Sequence, residues 1–242
     1  MMRGGNMTRV FDRNMFVMLT AIMIGVIIVT FFAADIIRRS EIETLTSEHN
    51  IEIKDINSKN ENFTNNFLQG SVTIDSAREV REIANFDFVM ALFWYNNALV
   101  NANVWYNNQW INGTKNCTNE CILNCTTAMQ QYLNSFGNFD DSIPYFSSAT
   151  TFTDNERYIT ALGYYVSFAN MGKNITLLRY NASNYLKQAA ENLSLGNLVN
   201  ATLLMENFTL LEEFLKELLG EYEDLKLIID NFLFFDEIRE DH

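Results

Sequence analysis

The sequence predicts an all-α protein in which a single N-terminal transmembrane helix precedes an extracytoplasmic antiparallel helical bundle with long coiled-coil-like helices. Three observations support this fold class. The 242 residues include one proline and ten glycines, too few chain breakers for a many-turned β fold. An uncharged run covers residues 15–34. Apolar residues recur at alternating steps of three and four through most of the C-terminal third, as they do in packed helices.

The N-terminal apolar run has the length of a membrane span. Residues 15–34 contain no charged side chain, and at about 1.5 Å per residue they give roughly 30 Å of helix, the thickness of the hydrocarbon layer. The alternative is a cleaved signal peptide ending at Ala33-Ala34, but its apolar region would be only about 7–15 residues long. The sequence therefore predicts four segments: a cytoplasmic tail at 1–14, a lipid-embedded anchor at 15–37, a membrane-proximal stalk helix at 38–70 and a helical-bundle ectodomain at 71–242.

Asn-x-Ser/Thr triplets indicate which side of the membrane holds the ectodomain. Arginines lie on both sides of the span, so counting positive charges gives nearly a tie. One triplet, at Asn6, precedes the span, and the others follow it, which favours an exported C-terminal part at the cell membrane. The candidate glycosylation sites after the span are Asn62, Asn112, Asn116, Asn124, Asn174, Asn181, Asn192, Asn200 and Asn207.

The first half of the ectodomain is predicted to contain a central helix. We expect the stalk to bend or fray in the polar segment 57–66. Ser76 and Glu79 fit a capping box, which predicts that a new helix begins there and reaches about Asn103. This helix has two apolar stripes, so we expect it to pack against neighbours on both sides. The second stripe comprises Ile83, Phe86, Met90, Phe93 and Val100.

The next helix is predicted to be short. It follows the cysteine-rich segment and ends near Gly137, a residue type typical of the position after a helix. Residues 138–152, which contain the only proline, Pro144, are then expected to form the longest loop. A second capping box at Thr153 and Glu156 predicts the start of the third ectodomain helix.

The last two helices carry the strongest periodic pattern and predict an antiparallel hairpin that turns at Gly196. The seam of the first helix comprises Ala161, Tyr164, Phe168, Met171, Ile175, Leu178, Ala182, Tyr185 and Ala189. The seam of the second helix comprises Leu204, Phe208, Leu211, Leu215, Leu218, Tyr222, Leu225, Ile229 and Phe232. Counting equally outward from Gly196 places Leu211 opposite the region of Asn181–Ala182. Several sequons flank these seams without occupying them, as solvated glycans require.

Three cysteines, Cys117, Cys121 and Cys125, are disulfide candidates because an exported chain is exposed to oxidising conditions. Their spacing of four would put neighbouring Cβ atoms about 5–6 Å apart on a helix, too far for a bridge. Two interpretations follow: Cys117 pairs with Cys121 or Cys125 in an irregular segment, or a cysteine bridges to another chain. Under the first, the third thiol is free, lipidated or intermolecular. A metal site is a further alternative, but no fourth ligand lies nearby.

The composition argues against catalysis, cofactors and nucleic-acid binding. The only histidines are His49 in the stalk and His242 at the end of the chain, too few for histidine-based catalysis or for paired Glu-x-x-His metal motifs. Gly-rich phosphate-binding loops are absent. The net charge of −13 repels phosphate backbones. We therefore expect no enzyme activity, no cofactor, no metal and no nucleic-acid partner.

Residues 93–110 combine tryptophan and tyrosine with asparagine. Such side chains can stack on sugars or contact a partner protein, although aromatic residues at helical spacing more often lie in a core. Trp105 and Trp110 are the candidate contact residues. We expect a surface or envelope protein that binds a protein partner or forms a homo-oligomer. The alternative functions are a ligand-binding sensory four-helix-bundle ectodomain that acts through a membrane partner and, less well supported, an enzyme or cofactor carrier.

Overall fold

The computed structural model describes residues 7–232, which are mostly helical, and the predicted helical bundle is confirmed. The elements are α1 (Met7–Leu99), β1 (Asn103–Tyr106), β2 (Gln109–Asn112), α2 (Gly113–Ala149), a 3-10 turn (Thr150–Phe152), α3 (Glu156–Ser194) and α4 (Leu198–Asp230). The chain divides into two compact units, Met1–Ser58 and Lys59–His242, and the bundle belongs to the second. Two residues considered above, Asn6 and His242, lie outside the described range.

The bundle has an up-down-up-down arrangement. α2 runs antiparallel to α1, since the Tyr132 hydroxyl donates a 2.8 Å hydrogen bond to Asn85 and the Ser135 hydroxyl donates one of 2.7 Å to the Ala77 carbonyl. α3 runs back along α2, which brings Lys173 within 2.7 Å of Asp140. α4 then pairs antiparallel with α3. Short connections between long helices impose this neighbour relationship.

Two hydrophobic clusters fill the bundle, each built by all four helices. The first surrounds Trp94 and includes the three cysteines of α2. The second contains stacked aromatic rings, with Phe168 on Tyr222 at 4.3 Å and Phe146 on Tyr165 at 4.9 Å between centroids. Burial of these side chains removes a large apolar area from water, which is the main stabilising contribution to a helical bundle.

The predicted hairpin of α3 and α4 is confirmed. All eighteen seam residues named above are buried or half-buried. Arg179 pairs with Glu212, and Phe168 stacks on Tyr222, so residue numbers across the pair sum close to twice 196. The chain therefore turns at Gly196, whose φ of +77° is in the left-handed region that favours glycine.

α1 is longer than the sequence predicted. The predicted bend at 57–66 and the predicted new start at Ser76 are both wrong, because α1 is continuous through them. Gly70 lies inside the helix for a packing reason: a Cβ there would be 2.8 Å from the Phe146 ring. The helix continues because Phe63 and Phe67 bury their rings in the second cluster, and tertiary burial outweighs local capping preference.

α2 also continues where the sequence predicted a loop. Neither the predicted helix end at Gly137 nor the predicted loop at 138–152 is correct, since the helix runs to Ala149 with Pro144 inside it. A proline in a helix interior costs about 3 kcal/mol. Phe139 and Phe146 lie on either side of Pro144 and are fully buried. Their burial keeps the helix intact.

The start of α3 agrees with the second predicted capping box in position but not in its capping residue. Asn155 is the N-cap, and its side-chain oxygen accepts a 3.0 Å hydrogen bond from the Arg157 amide. The Thr153 hydroxyl instead accepts from the Asn155 amide at 3.2 Å. Asparagine is as good an N-cap as threonine or better, which explains the shift.

Within residues 7–232, no helix is both long enough and apolar enough to cross a membrane. The transmembrane anchor at 15–37 therefore stays a prediction.

Candidate interaction surface

A β-hairpin joins α1 to α2 where the sequence predicted only helices. β1 and β2 are antiparallel, and a two-residue loop, Asn107-Asn108, connects them. Both loop residues have positive φ, 49° and 62°, as a type I′ turn requires. Asparagine adopts this conformation more readily than most other residues that have a side chain. The missed signal was therefore the Asn107-Asn108 pair between Trp105-Tyr106 and Gln109-Trp110.

The hairpin places Trp105 and Trp110 side by side in solvent. They are directly opposite each other in the register, and their ring centroids are 5.5 Å apart. The side chains are 57% and 61% exposed. The inward face carries Ile111 and Tyr106, and the Tyr106 ring contacts the buried Trp94 at 5.1 Å. The sequence correctly singled out the two exposed tryptophans but not the strand pairing that brings them together.

Hydrogen bonds fasten the hairpin to the end of α1. The Gly113 amide donates to the Ala102 carbonyl at 2.9 Å. The Thr114 amide donates to the Asn101 side-chain oxygen, and the Thr114 hydroxyl donates to the Ala98 carbonyl, each at 2.9 Å. The tryptophan pair is thus presented on a braced support rather than on a loop.

A second exposed apolar surface runs along α1 toward the hairpin. We call it the outer row: Ile83, Phe86, Met90, Phe93 and Val100. Met90 is half-buried and the other four side chains are exposed, with Phe86 at 65%. The expectation that this stripe packs against a neighbour in the same chain is therefore wrong. The stripe around Ala84, Ala91 and Trp94 alone faces the core, since three other helices already fill that side.

The tryptophan pair and the outer-row residues Met90, Phe93 and Val100 lie in an uncharged part of an acidic chain. No Asp, Glu, Lys or Arg occurs between Asp87 and Lys115. Glu82 and Asp87 lie beside the outer-row residues Ile83 and Phe86. Burial raises the pKa of Asp87, and a hydrogen bond with Gln131 opposes that shift. Large exposed apolar surfaces of this kind mark sites that bind proteins, membranes or ligands.

The candidate glycosylation sites are distributed over the second unit. Eight of the nine lie in helices, whereas Asn112 is the last residue of β2. Several helical acceptors already use their amides locally: the Asn116, Asn124 and Asn192 side chains each donate to the carbonyl four residues earlier. All nine asparagines are exposed or half-buried. Their occupancy stays a prediction.

The structure does not contain the predicted local disulfide. Cys117, Cys121 and Cys125 lie on one face of regular α2, and all three are free and fully buried. The helix sets the Cβ separation expected for a spacing of four, which is too large for a bridge. Their burial also leaves no sulfur accessible for a bridge to another chain. A hydrogen bond with Cys125 and burial raise the pKa of Cys121, which keeps it as a thiol.

A polar layer separates the two hydrophobic clusters. The Arg81 guanidinium is buried over the Tyr222 ring at 4.6 Å and the Phe139 ring at 5.5 Å. No carboxylate within salt-bridge distance of Arg81 is found in residues 7–232. Burial raises the pKa of Tyr222, while Arg81 opposes that shift. The Arg179–Glu212 ion pair completes the layer. The aromatic rings supply the electrostatic stabilisation that this cation would otherwise take from water.

A polar cavity of about 160 Å³ lies near the end of the bundle away from the hairpin. Its lining includes Arg78, Lys226, Asp75 and Asp230, so both charge signs are present. The Ser71 hydroxyl also lines it and is buried, with no hydrogen-bond partner among the residues that the structure describes. Within residues 7–232, no group of three or more His, Cys, Asp or Glu side chains is placed to hold a metal ion.

Comparison of the chain with protein-family models, curated proteins and solved structures finds no match.

Proposed function

We propose that this chain is a membrane-anchored, N-glycosylated surface or envelope protein that is not an enzyme and whose helical ectodomain binds a partner protein. The observation that carries the proposal is the outer row, an apolar seam in which four of five side chains are exposed and only Met90 is half-buried against the first cluster. A monomer that left this surface in water would lose the stabilisation that burial gives, about 25 cal/mol per Å² of apolar area.

The spacing of the outer row favours a helical occupant. Its residues are separated by three, four, three and seven positions, the repeat that lets two helices pack along a shared seam. The four members from Ile83 to Phe93 lie in α1 and cover about 15 Å of it, and Val100 follows directly after its last residue. Asn97 occupies the position between Phe93 and Val100, and its amide donates to the Phe93 carbonyl at 2.8 Å. A single polar residue in such a seam fixes the register of the partner at some cost in stability.

Charge favours a different protein over a second copy of this one. Two copies would each bring a net charge of −13. Glu82 and Asp87 flank the seam, so a symmetric parallel pair would place like charges close together. A partner helix with lysine or arginine beside its apolar seam would instead be attracted. We therefore assign the outer row to a partner with a basic-flanked amphipathic helix.

The proposed location is supported by the sequence. The uncharged run at 15–34 is long enough to enter a bilayer, and nine sequons follow it. We propose that residues 15–37 contact lipid and that the C-terminal domain is extracytoplasmic. A protease added outside intact cells should then remove most of the chain. Protection of α4 in intact cells, with digestion only after lysis, would reverse this orientation.

Site-specific cross-linking tests the partner surface. A photoreactive phenylalanine at position 86 or 93 of the full chain in native membranes should give one cross-linked product. The same group at Phe214, an equally exposed phenylalanine on α4, is the matched control and should give none. Glu82→Lys should weaken the product, because it reverses the flanking charge. A product of twice the chain mass would identify a homo-oligomer, and equal products from all three positions would refute a specific surface.

A sensory ectodomain is the second candidate function, and the polar cavity favours it. Arg78 and Lys226 could hold a carboxylate, Asp75 and Asp230 an ammonium group, and Ser71 has an unused hydroxyl. A free amino acid carries both charges, which match the two charge signs in the lining of this cavity of about 160 Å³. Each of the twenty amino acids, tested singly, should leave the melting temperature unchanged if the cavity holds only water. A rise that Ser71→Ala abolishes would favour the sensory function.

A further inference from the structure

We propose that the Trp105–Trp110 pair is the docking platform for the first sugar of an N-glycan on Asn112 of the same chain. The inference rests on the proposed export, because an N-glycan requires it. It assigns the tryptophan pair to carbohydrate and leaves the outer row of α1 to the protein partner.

The strand register puts the acceptor and the platform on one face. Asn112 pairs with Asn103, and the next pair on that face is Trp110 with Trp105. Residues two apart on a strand are separated by about 6.7 Å, and diagonal neighbours across a pair by about 7–8 Å. A sugar attached to the Asn112 amide therefore begins within reach of both indole rings. Asn112 and both tryptophans are exposed, whereas Ile111 between them is buried.

The Asn112 side chain is free to carry the sugar. It makes no capping hydrogen bond at the start of α2, unlike the N-cap asparagines of α3 and α4. It is the one candidate acceptor in a strand, and the other tryptophan of the chain, Trp94, is fully buried. The next acceptor along the chain, Asn116, has its amide engaged, because it donates to the Asn112 carbonyl at 2.9 Å.

The chemistry of the patch suits a neutral sugar. A pyranose ring presents a face of C–H groups that packs against an aromatic ring, while its hydroxyls stay in water. The uncharged run from 88 to 114 offers nothing to a charged partner. In the attachment step a lipid-linked sugar diphosphate is the donor. The Asn112 amide nitrogen bonds to the sugar C1, the C1–O bond to the diphosphate breaks, and the amide loses one proton.

The experiment uses the full chain made in cells whose secretory pathway adds N-glycans. Trimming with an endoglycosidase that leaves the first sugar should not change acrylamide quenching of tryptophan fluorescence. Complete removal by an amidase, or the substitution Asn112→Gln, should increase quenching and shift the emission to longer wavelength. The control Asn207→Gln, which removes a helical acceptor, should leave both signals unchanged. Because the amidase acts on folded protein, the test does not depend on the folding of a variant.

Peptide mass spectrometry separates the ways in which the inference can fail. Occupied Asn112 with unchanged quenching after complete removal would show that the tryptophan pair is open to a protein partner and would overturn the inference alone. An unmodified Asn112 beside other occupied sequons would do the same. If no sequon is occupied, the inference and the proposed glycoprotein function both fail.

Discussion

The packing of Phe139 against Gly172 should make a single methyl group costly. Gly172→Ala would place a Cβ 2.5 Å from Cε1 and 2.6 Å from Cζ of Phe139, where carbon atoms normally stay about 3.5–4.0 Å apart. The ring would have to move by about 1 Å, yet it is fully buried and covered by Arg81. Overpacking of this kind costs about 1–3 kcal/mol.

A second glycine in α3, Gly163, serves as a control for the change in helix propensity that accompanies any glycine-to-alanine substitution. Replacing glycine by alanine within a helix gains about 1 kcal/mol of intrinsic propensity. Gly163→Ala should show that gain alone, because a Cβ there meets nothing within 4 Å. Gly172→Ala should show the same gain minus the packing cost. The difference between the two variants is therefore expected to be about 1–3 kcal/mol.

Urea unfolding of residues 59–242, the unit that holds the bundle, measures both variants. Adding Phe139→Leu to Gly172→Ala should recover part of the lost free energy of unfolding, because the shorter side chain no longer clashes with the new Cβ. The effects of the two substitutions should therefore be non-additive. Equal free energies of unfolding for the two alanine variants would show that the contact with Phe139 does not exist. The close packing of α2 on α3 described above would then be wrong.

Three further outcomes follow from burial. Leu215→Ala should cost about 2–5 kcal/mol and the exposed Leu210→Ala within about 0.5, so equal losses in thermal unfolding would contradict the α4 seam. Burial raises the pKa of Asp87, so its contribution to stability is present below the unfolded pKa and lost as pH rises through the folded pKa. Asp87→Asn should therefore raise the free energy of unfolding at pH 7, with a gain that disappears below about pH 4; a pH-independent gain would exclude titration as its cause. The three α2 thiols should resist alkylation in folded protein and react fully in urea. Thiols that react in urea only after a reductant is added would instead show that a disulfide is present.

The seams of α3 and α4 were predictable because large apolar side chains mark them at nearly every turn. Leucine, phenylalanine and tyrosine at steps of three and four leave little choice of face. The glycine of the connecting turn then fixes the register by counting. Local pattern and tertiary packing agree in this half of the bundle, so the pattern alone is sufficient.

α2 was not predictable in the same way, because small side chains form much of its buried face. Its core positions continue at steps of four and three from Cys117 to Ala149, but they include Ser135 and Ser142. Serine in a sequence pattern indicates an exposed position. In the structure, however, both hydroxyls donate to backbone carbonyls and both residues are fully buried. Gly137 and Pro144 added strong local signals against helix. Neighbouring helices overrode both.

The candidate surface was predictable in composition and not in geometry. The tryptophans were notable for their position beside asparagines. The turn, however, depends on two asparagines adopting positive φ, and the residue preferences of asparagine favour a helix end as much as a hairpin turn. The outer row of α1 was visible as an apolar stripe. Whether such a stripe is covered depends on how many helices pack around α1, and local periodicity does not show that number.

Arg81 also limits the ways in which the helices can slide. Heptad seams are nearly self-similar, so α1 could shift by one repeat, about 10.5 Å, and still bury apolar side chains. A shift toward the first cluster would move the guanidinium from the rings of Phe139 and Tyr222 to the level of Phe88. The Arg179 guanidinium already lies 5.1 Å from the Phe88 ring centroid, so two cations would come together in a buried layer. Arg81 thus destabilises the shifted registers of α1 more than it stabilises the native register. An Arg81→Met variant should keep its helical content while its amide resonances broaden, because several registers would then have similar free energies.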